Sequence, residues 1–407
     1  MAARRSRTGE ARKSRRRPPR SARPARRGSG RPSTASGRAD TVGYAVVGLG
    51  YIAQAAVLPA FAHARRNSRL VALVSGDARK RRALGRRYGV DLVFDYESFA
   101  ECLACPEVDA VYVALPNFLH REVAVAAARA GKHVLCEKPL AVTVEECEAM
   151  IAAAAENGVR LMTAYRLHFE RANLQAVEIV RSGRLGEPRA FQSFFSMQVE
   201  NGNVRLAPSD RGGGPIYDIG IYCINAARYL FRAEPSEVLA TSASIGDKRF
   251  ARTPEMMSAV LRFPVERLAT FTCSFGAADT GWYEVVGTKG RLRLEPAYEY
   301  AEPLVHHLDV GERRRTRRFA KRDQFAPELL YFSDCVLSGE EPEPSGREGL
   351  ADVRVIRAIL ESARIGRAVA LDEDFERHKR PTLALETRRP PVSDMPPLVG
   401  ASSPSEE

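Results

Sequence analysis

Nowhere in its 407 residues does this chain hold an apolar run long enough to cross a bilayer, and it shows no internal repeat. Its cysteines are few, seven in number, scattered at 102, 105, 136, 147, 223, 273 and 335 through apolar segments. An odd, dispersed set argues against a disulfide framework and suits a reducing cytoplasm. Cys102 and Cys105 have redox or zinc spacing, but no second Cys or His pair completes a site, so both read as buried thiols and no metal is expected. The first forty residues almost lack large apolar side chains, being mostly Arg, Pro, Ser, Ala and Gly. They cannot bury enough surface to offset chain entropy, so residues 1–41 are expected to form a disordered basic tail. Arginine pairs occur there without the apolar stretch that an export signal needs before Val42, and a cytoplasmic location is expected.

Charge of one sign is also missing from most of the chain. The net charge is +12, yet residues 1–40 carry fourteen of the 62 Lys and Arg against two of the 50 acids. The remainder therefore holds 48 of each and is neutral. A basic excess confined to a tail is read as a solvated extension, and nucleic acid is not expected as a partner.

What the chain does have is an apolar run, 44–47, that stops at Gly48-Leu49-Gly50 and gives way to a helical pattern. Strand, glycine turn and helix, with Gly48, Gly50 and Ala53 spaced as G-x-G-x-x-A, form a dinucleotide-binding fingerprint. Gly48 permits the sharp turn, Gly50 lets a pyrophosphate approach the backbone, and Ala53 lets helix and strand pack closely. The helix N-terminus supplies N–H groups and a favourable dipole for phosphates.

From there to about residue 164, strands at 70–74, 108–115, 133–136 and 159–164 alternate with helices at 80–88, 120–130 and 144–157. The last helix opens with a capping box at Thr143 and Glu146. Repeated βα units predict a Rossmann-type, doubly wound parallel sheet over 42–164, with its ligand at the carboxyl ends of the strands. After Tyr165 the period changes. One helix, 171–182, leads into strands near 190–199, 238–245, 257–263, 268–274, 283–287 and 291–294. That pattern predicts an open, mainly antiparallel sheet in a second, α+β domain over 165–375, closed by helices near 327–337 and 349–366. Residues 376–407 are proline-rich and read as a flexible tail.

Three places could carry chemistry. After the second strand, Ser75 offers a short hydroxyl where an NAD site usually places a carboxylate, and Arg79 and Lys80 follow. This favours NADP over NAD, with Ser75 donating to a 2′-phosphate and the cations neutralising it, provided Asp77 caps the helix rather than turning inward. Glu137-Lys138-Pro139 stands at the binding edge after a buried strand. There a lysine can hydrogen-bond a substrate hydroxyl, or the tripeptide is only a strand-end salt bridge. If a helix starts at Pro215, Asp218 and Tyr222 are four apart and share one face. A carboxylate and a phenol aimed at one place suit proton transfer, and a nearby ammonium such as Lys138 would help ionise the phenol.

Gly48–Ala53, Glu137-Lys138-Pro139, and Gly213-Gly214 followed by Asp218-Ile-Gly220-Ile-Tyr222 together resemble the Gfo/Idh/MocA oxidoreductases, closest to the glucose–fructose oxidoreductase branch. Pro116-Asn117-x-x-His120 and Tyr165-Arg166-x-His168 fit as well. The resemblance runs from about residue 42 to 371. It implies a nicotinamide-dependent oxidoreductase acting on sugars or related polyols, with the second sheet shaping the sugar site and joining a homodimer or homotetramer. It assigns contact with the reacting hydroxyl to Lys138, substrate orientation to Asp218 and acid/base work to Tyr222. Cofactor contacts fall to Gly48, Gly50, Tyr51 and Ile52, to Ser75, Arg79 and Lys80 near the 2′-phosphate, and to Pro116, Asn117, His120, Glu137, Lys138 and Arg166. Many relatives have His where Tyr222 stands, and Tyr supports the sugar-oxidising branch. The expected activity is that of an NADP-dependent sugar dehydrogenase or reductase with exchanging cofactor. The alternatives are a sugar–sugar oxidoreductase with retained NADP and a non-catalytic NADP-binding regulator.

Overall fold

The computed structural model describes residues 40–372, 375, 381–386 and 395–404. The expected basic tail lies, up to residue 39, outside the described residues. β1, Val42–Val47, is buried at every position, as the central strand of a sheet covered on both faces must be. It is followed by a five-residue π-turn, Ala53–Val57, running into a single helical turn, α1, Leu58–Ala60. Then come β2, Ser68–Val74; α2, Ala78–Tyr88; β3, Leu92–Phe94; and α3, Phe99–Ala104. β4, Ala110–Val113, α4, His120–Arg129, β5, His133–Glu137, α5, Val144–Glu156, and β6, Leu161–Ala164, complete the unit. All six strands are parallel, in the order β3-β2-β1-β4-β5-β6. The order reverses between β1 and β4, which puts the crevice for a ligand at their carboxyl ends. The capping box at Thr143 and Glu146 is formed, and Gly89 closes α2 with φ of 65°.

The second sheet follows α6, Arg171–Arg181. Its strands are β7, Pro188–Ser196; β8, Glu237–Ala243; β9, Met256–Phe263; β10, Arg267–Ser274; β11, Thr280–Gly287; and β12, Gly290–Leu294. A π-turn, Ile216–Gly220, and α7, Ile221–Phe231, lie between β7 and β8. β13, Leu304–Val310, and β14, Arg313–Phe319, extend the sheet, and β15, Val369–Ala370, adds its far edge. The order is β14-β13-β12-β11-β7-β10-β9-β8-β15, antiparallel except for the parallel β7–β10 pair. Along β9 the inward positions Met257, Ala259, Leu261 and Phe263 are buried against the helices, and alternate residues face out.

Besides the short strands β3 and β15, which were not expected, two features depart from the sequence reading. β13 and β14 were not expected, because the seven residues of β14, RRRTRRF, show no alternation. α8, Ala326–Ser338, does not close the second sheet but docks on the first. Tyr44 of β1 shares a hydrogen bond with Ser333 Oγ at 2.7 Å, and Asn67 Nδ2 donates to the Leu330 carbonyl at 2.8 Å. Leu329, Leu330 and Phe332 join the core of the first domain. α9, Gly346–Ile365, packs against both α5 and β8 and so couples the two domains.

A correction concerns the C-terminal end. Residues 395–404, expected to be loose, lie against both domains: Arg87 Nη1 donates to the Pro397 carbonyl at 2.7 Å, and the Glu200 N–H to the Pro404 carbonyl at 3.4 Å. The rest of the expected tail, 376–380, 387–394 and 405–407, lies outside the described residues. No described helix is long and apolar enough to cross a membrane.

Candidate active site

The glycine turn is built as the spacing requires. Gly48 has φ of +95°, and a Cβ there would sit 2.3 Å from the Ala114 carbonyl oxygen, so only glycine fits between β1 and β4. A Cβ on Gly50 would meet nothing within 4 Å, which leaves open space over the backbone where a pyrophosphate would approach. Ala53 is fully buried beneath it. At the end of β2, Asp77 does not turn into the crevice. Its Oδ1 accepts from the Arg79 and Lys80 N–H groups at 2.8 and 3.2 Å and caps α2. The Lys80 N–H bond, helped by that from Arg79, holds the carboxyl below its ordinary range. Ser75 is buried at the end of β2, and Arg79 and Lys80 follow it in the first turn of α2, where a ribose phosphate would lie. An open cradle at Gly50 and a cationic β2 end fit a phosphorylated dinucleotide.

From β5, Glu137 and Lys138 reach the neighbouring cleft, and the Lys138–Pro139 peptide is cis. Tyr112 OH donates to Glu137 Oε1 at 2.9 Å. Burial pushes the Glu137 carboxyl up, against the pull of Lys138. Lys138 Nζ donates to the Asp218 carbonyl at 2.8 Å and to Asp218 Oδ1 at 3.2 Å. Burial works against the ammonium, but Asp218, Tyr222 and Glu137 outweigh it and hold its pKa above the ordinary lysine value. Arg205 Nε donates to the other oxygen, Asp218 Oδ2, at 2.6 Å. For Asp218 too, burial is outweighed: Arg205 and Lys138 hold its carboxyl well below the usual carboxylate range.

Asp218 lies in the π-turn and Tyr222 in the first turn of α7, so the expected shared face is realised, with one wider turn between them. The Lys138 ammonium stands 4.8 Å from the Tyr222 ring centroid, and the Arg166 guanidinium stands 5.1 Å from it on its own approach. Arg166 is buried, bonds the Tyr298 carbonyl and Gln324, and also lies over the Tyr300 ring at 5.3 Å. Phe195 and Tyr298 stack at 4.9 Å beside Tyr222. These groups line a cleft of about 650 Å³, together with Gly50, Tyr51, Ile52, Pro116 and Asn117. It is one cavity that runs from the glycine turn to the second sheet.

The structure thus brings Lys138, Asp218 and Tyr222 together with most of the expected cofactor residues. Gly48, Ser75, Arg79 and Lys80 do not line that cleft, and neither does His120. That ring is fully buried, with Nδ1 2.9 Å from the Pro139 carbonyl oxygen and Nε2 2.8 Å from that of Leu115, so it ties two strand ends behind the cleft instead of lining it. Sequence reasoning missed Arg205, Phe195, Tyr298, Tyr300, Ser403 and Pro404, all of which line the cleft. Arg205 lies in a single 3₁₀ turn, Val204–Leu206, and nothing in the spacing of these aromatics sets them apart from core residues.

Residues 42–165 match the family described as oxidoreductase family, NAD-binding Rossmann fold, and residues 173–293 match the GFO/IDH/MocA C-terminal domain. Among solved structures, the aldose–aldose oxidoreductase from Caulobacter crescentus, complexed with glycerol, is 40% identical with a TM-score of 0.78, covering 81% of this chain and all of that one. A 3-ketoreductase from Actinomadura kijaniata, in complex with NADP and TDP-benzene, is 30% identical with a TM-score of 0.72, over 79% and 98% of the two chains. The D-xylose 1-dehydrogenase [NADP(+)] of Haloarcula marismortui is 32% identical over 81% of this chain and 93% of its own. With both domain matches in sequence order on the fold described above, the chain belongs to the Gfo/Idh/MocA family of oxidoreductases.

Proposed function

We propose that this protein is an NADP-dependent sugar oxidoreductase that transfers hydride between the nicotinamide and the C1 carbon of an aldose. The observation that carries this reading is the convergence of Lys138, Asp218 and Tyr222 in a cleft continuous with the glycine turn. NADP, when bound, supplies a hydride donor or acceptor. The protein's own residues handle the oxygen and its proton. In the reducing direction the Tyr222 phenol donates its proton to the substrate carbonyl oxygen, while the Lys138 ammonium hydrogen-bonds the same oxygen and stabilises the developing alkoxide. Because its neighbours hold Lys138 protonated, it acts as a fixed charge and donor rather than a base. Asp218, anchored by Arg205, keeps that ammonium aimed at Tyr222. Oxidation runs the same steps backwards. Phe195, Tyr298 and Tyr300 give the sugar an aromatic wall. NADP relatives, including the xylose dehydrogenase, and the cation-bearing end of β2 support the choice of cofactor. A homodimer or homotetramer through the outer face of the second sheet belongs to this reading, since Leu239, Val260 and Leu268 stand exposed on the adjacent strands β8, β9 and β10, and Val286 on β11 beyond β7.

The test is the near-ultraviolet absorbance of reduced nicotinamide when purified protein and NADP⁺ meet a panel of aldoses, with NAD⁺ alongside. A sustained rise with one aldose and NADP⁺ is expected. No rise with any aldose, and no loss of NADPH with the matching aldonolactones, would sink the reading. A second reading, a sugar–sugar oxidoreductase with retained NADP, is favoured by the likeness to the aldose–aldose oxidoreductase. It would give a single-turnover rise that stops, and a second, reducible sugar would then bring the absorbance back down as the bound NADPH is reoxidised.

A further inference from the structure

The C-terminal segment 395–404 reaches the cleft at Ser403 and Pro404, and its contacts join three separate elements. At one end, Arg87 of α2 donates to the Pro397 carbonyl. In the middle, the Gln54 side chain holds Val399 from both sides: Gln54 Nε2 donates to the Val399 carbonyl at 3.0 Å, and the Val399 N–H donates to Gln54 Oε1 at 2.8 Å. Gln54 belongs to the π-turn that follows the glycine turn, is fully buried, and also donates to the Leu49 carbonyl at 2.9 Å. Next, Gly400 lies so close to α2 that a Cβ on it would be 3.2 Å from Lys80 Cε and 3.4 Å from Asp77 Oδ2. At the other end, Ser403 and Pro404 line the cleft itself, and Pro404 accepts from Glu200 of the second domain.

The strap therefore runs from the last turn of α2, past Gln54 and the first turn of α2 at the end of β2, to the mouth of the substrate cleft. Its second half, from Gly400 to Pro404, spans the distance between the expected 2′-phosphate position and the substrate cleft. A buried amide that makes a two-way, strand-like bond to a segment more than three hundred residues away is a built anchor, not a casual surface contact. Pro396, Pro397 and Pro404 lower the entropy lost when the segment is ordered.

We propose that residues 395–404 form the outer wall of the dinucleotide site and slow the release of NADP(H), with Gln54 as the positioning residue that anchors the strap. This rests on the reading of the site as an NADP site. The strap encloses a bound dinucleotide between itself and the glycine turn, so release waits for the Gln54–Val399 pair to open.

The test follows NADPH fluorescence. Three proteins are loaded with NADPH: the full chain, a version ending at residue 394, and Gln54→Leu, which keeps the side-chain volume and removes both strap bonds. Each is chased with excess NADP⁺ in a stopped-flow instrument, and thermal unfolding confirms that each is folded. Release at least about tenfold faster from both variants than from the full chain is the expected result. Equal release from all three, or slower release from the variants, overturns the strap as a clasp while leaving the nucleotide site standing. Failure of the full chain to bind NADPH overturns the nucleotide reading itself, and the inference with it.

Discussion

Lys138 and Asp218 stand 80 residues apart in sequence and on different domains, yet Lys138 Nζ donates to both the main-chain and a side-chain oxygen of Asp218, at 2.8 and 3.2 Å. This double contact fixes the ammonium in direction as well as charge. Lys138→Ala and Tyr222→Phe are each expected to lower kcat by about 10²–10⁴-fold. NADPH binding by fluorescence should persist in both, because the phosphates are held at the glycine turn. If the two residues serve one oxygen, the double variant loses far less than the product of the single losses. Normal turnover in either single variant would remove this mechanism.

Asp218 carries two cations at once, Lys138 on one oxygen and Arg205 on the other. Asp218→Ala leaves both without their counter-charge in a mostly buried setting, and should destabilise the protein by about 1–3 kcal/mol, read by urea unfolding. The sign with pH follows from the depressed carboxyl. A carboxylate held low in the folded state stabilises above the unfolded carboxylate range, and its contribution disappears as pH falls through the folded value. The gap in stability between the native protein and Asp218→Asn is therefore expected to narrow at acid pH. A gap that widens would contradict the assignment.

His168 shows the opposite sign. It is buried, with Nε2 2.7 Å from Asn225 Oδ1 and Nδ1 3.4 Å from Glu343 Oε1. Burial favours the neutral ring, but Glu343 and Glu348 outweigh it and raise the pKa. The stabilisation is present below the unfolded histidine pKa, about 6.5, and is lost as pH rises through the folded value. The Tm should thus fall as pH rises above about 6.5, and His168→Gln should flatten that slope. An unchanged slope in the variant would place its origin elsewhere.

Much of this was legible because it is local. Glycines at fixed spacing, a capping box and apolar strands are dictated by residues near in sequence, and so the parallel sheet could be read directly, whereas the 138/218/222 set came with the family motifs. What was not legible depends on where the chain returns. β14 carries arginine on both faces and so hides its strand period, and α8 has an apolar face that either sheet could accept. His120 sits in a motif beside the cleft, yet both ring nitrogens face backbone carbonyls. The segment 395–404 has the composition of a loose tail, and only the distant Gln54 amide reveals its place.

Cofactor choice gives the last prediction. Asp77 spends its carboxylate on the first turn of α2, so the end of β2 presents the Ser75 hydroxyl and the cations of Arg79 and Lys80. A 2′-phosphate there gains charge-assisted hydrogen bonds that an unphosphorylated ribose cannot make. Lys80→Ala should weaken NADPH binding about tenfold and leave NADH binding nearly unchanged, since it removes a charge that only the phosphate meets. Ser75→Asp places a carboxylate against the phosphate and should invert the preference by offering the 2′- and 3′-hydroxyls a hydrogen-bond acceptor. Fluorescence titration of both nucleotides reads the two constants separately from turnover. Equal losses for NADH and NADPH in Lys80→Ala would mean that the lysine supports the fold of α2, and that the phosphate is held by other residues.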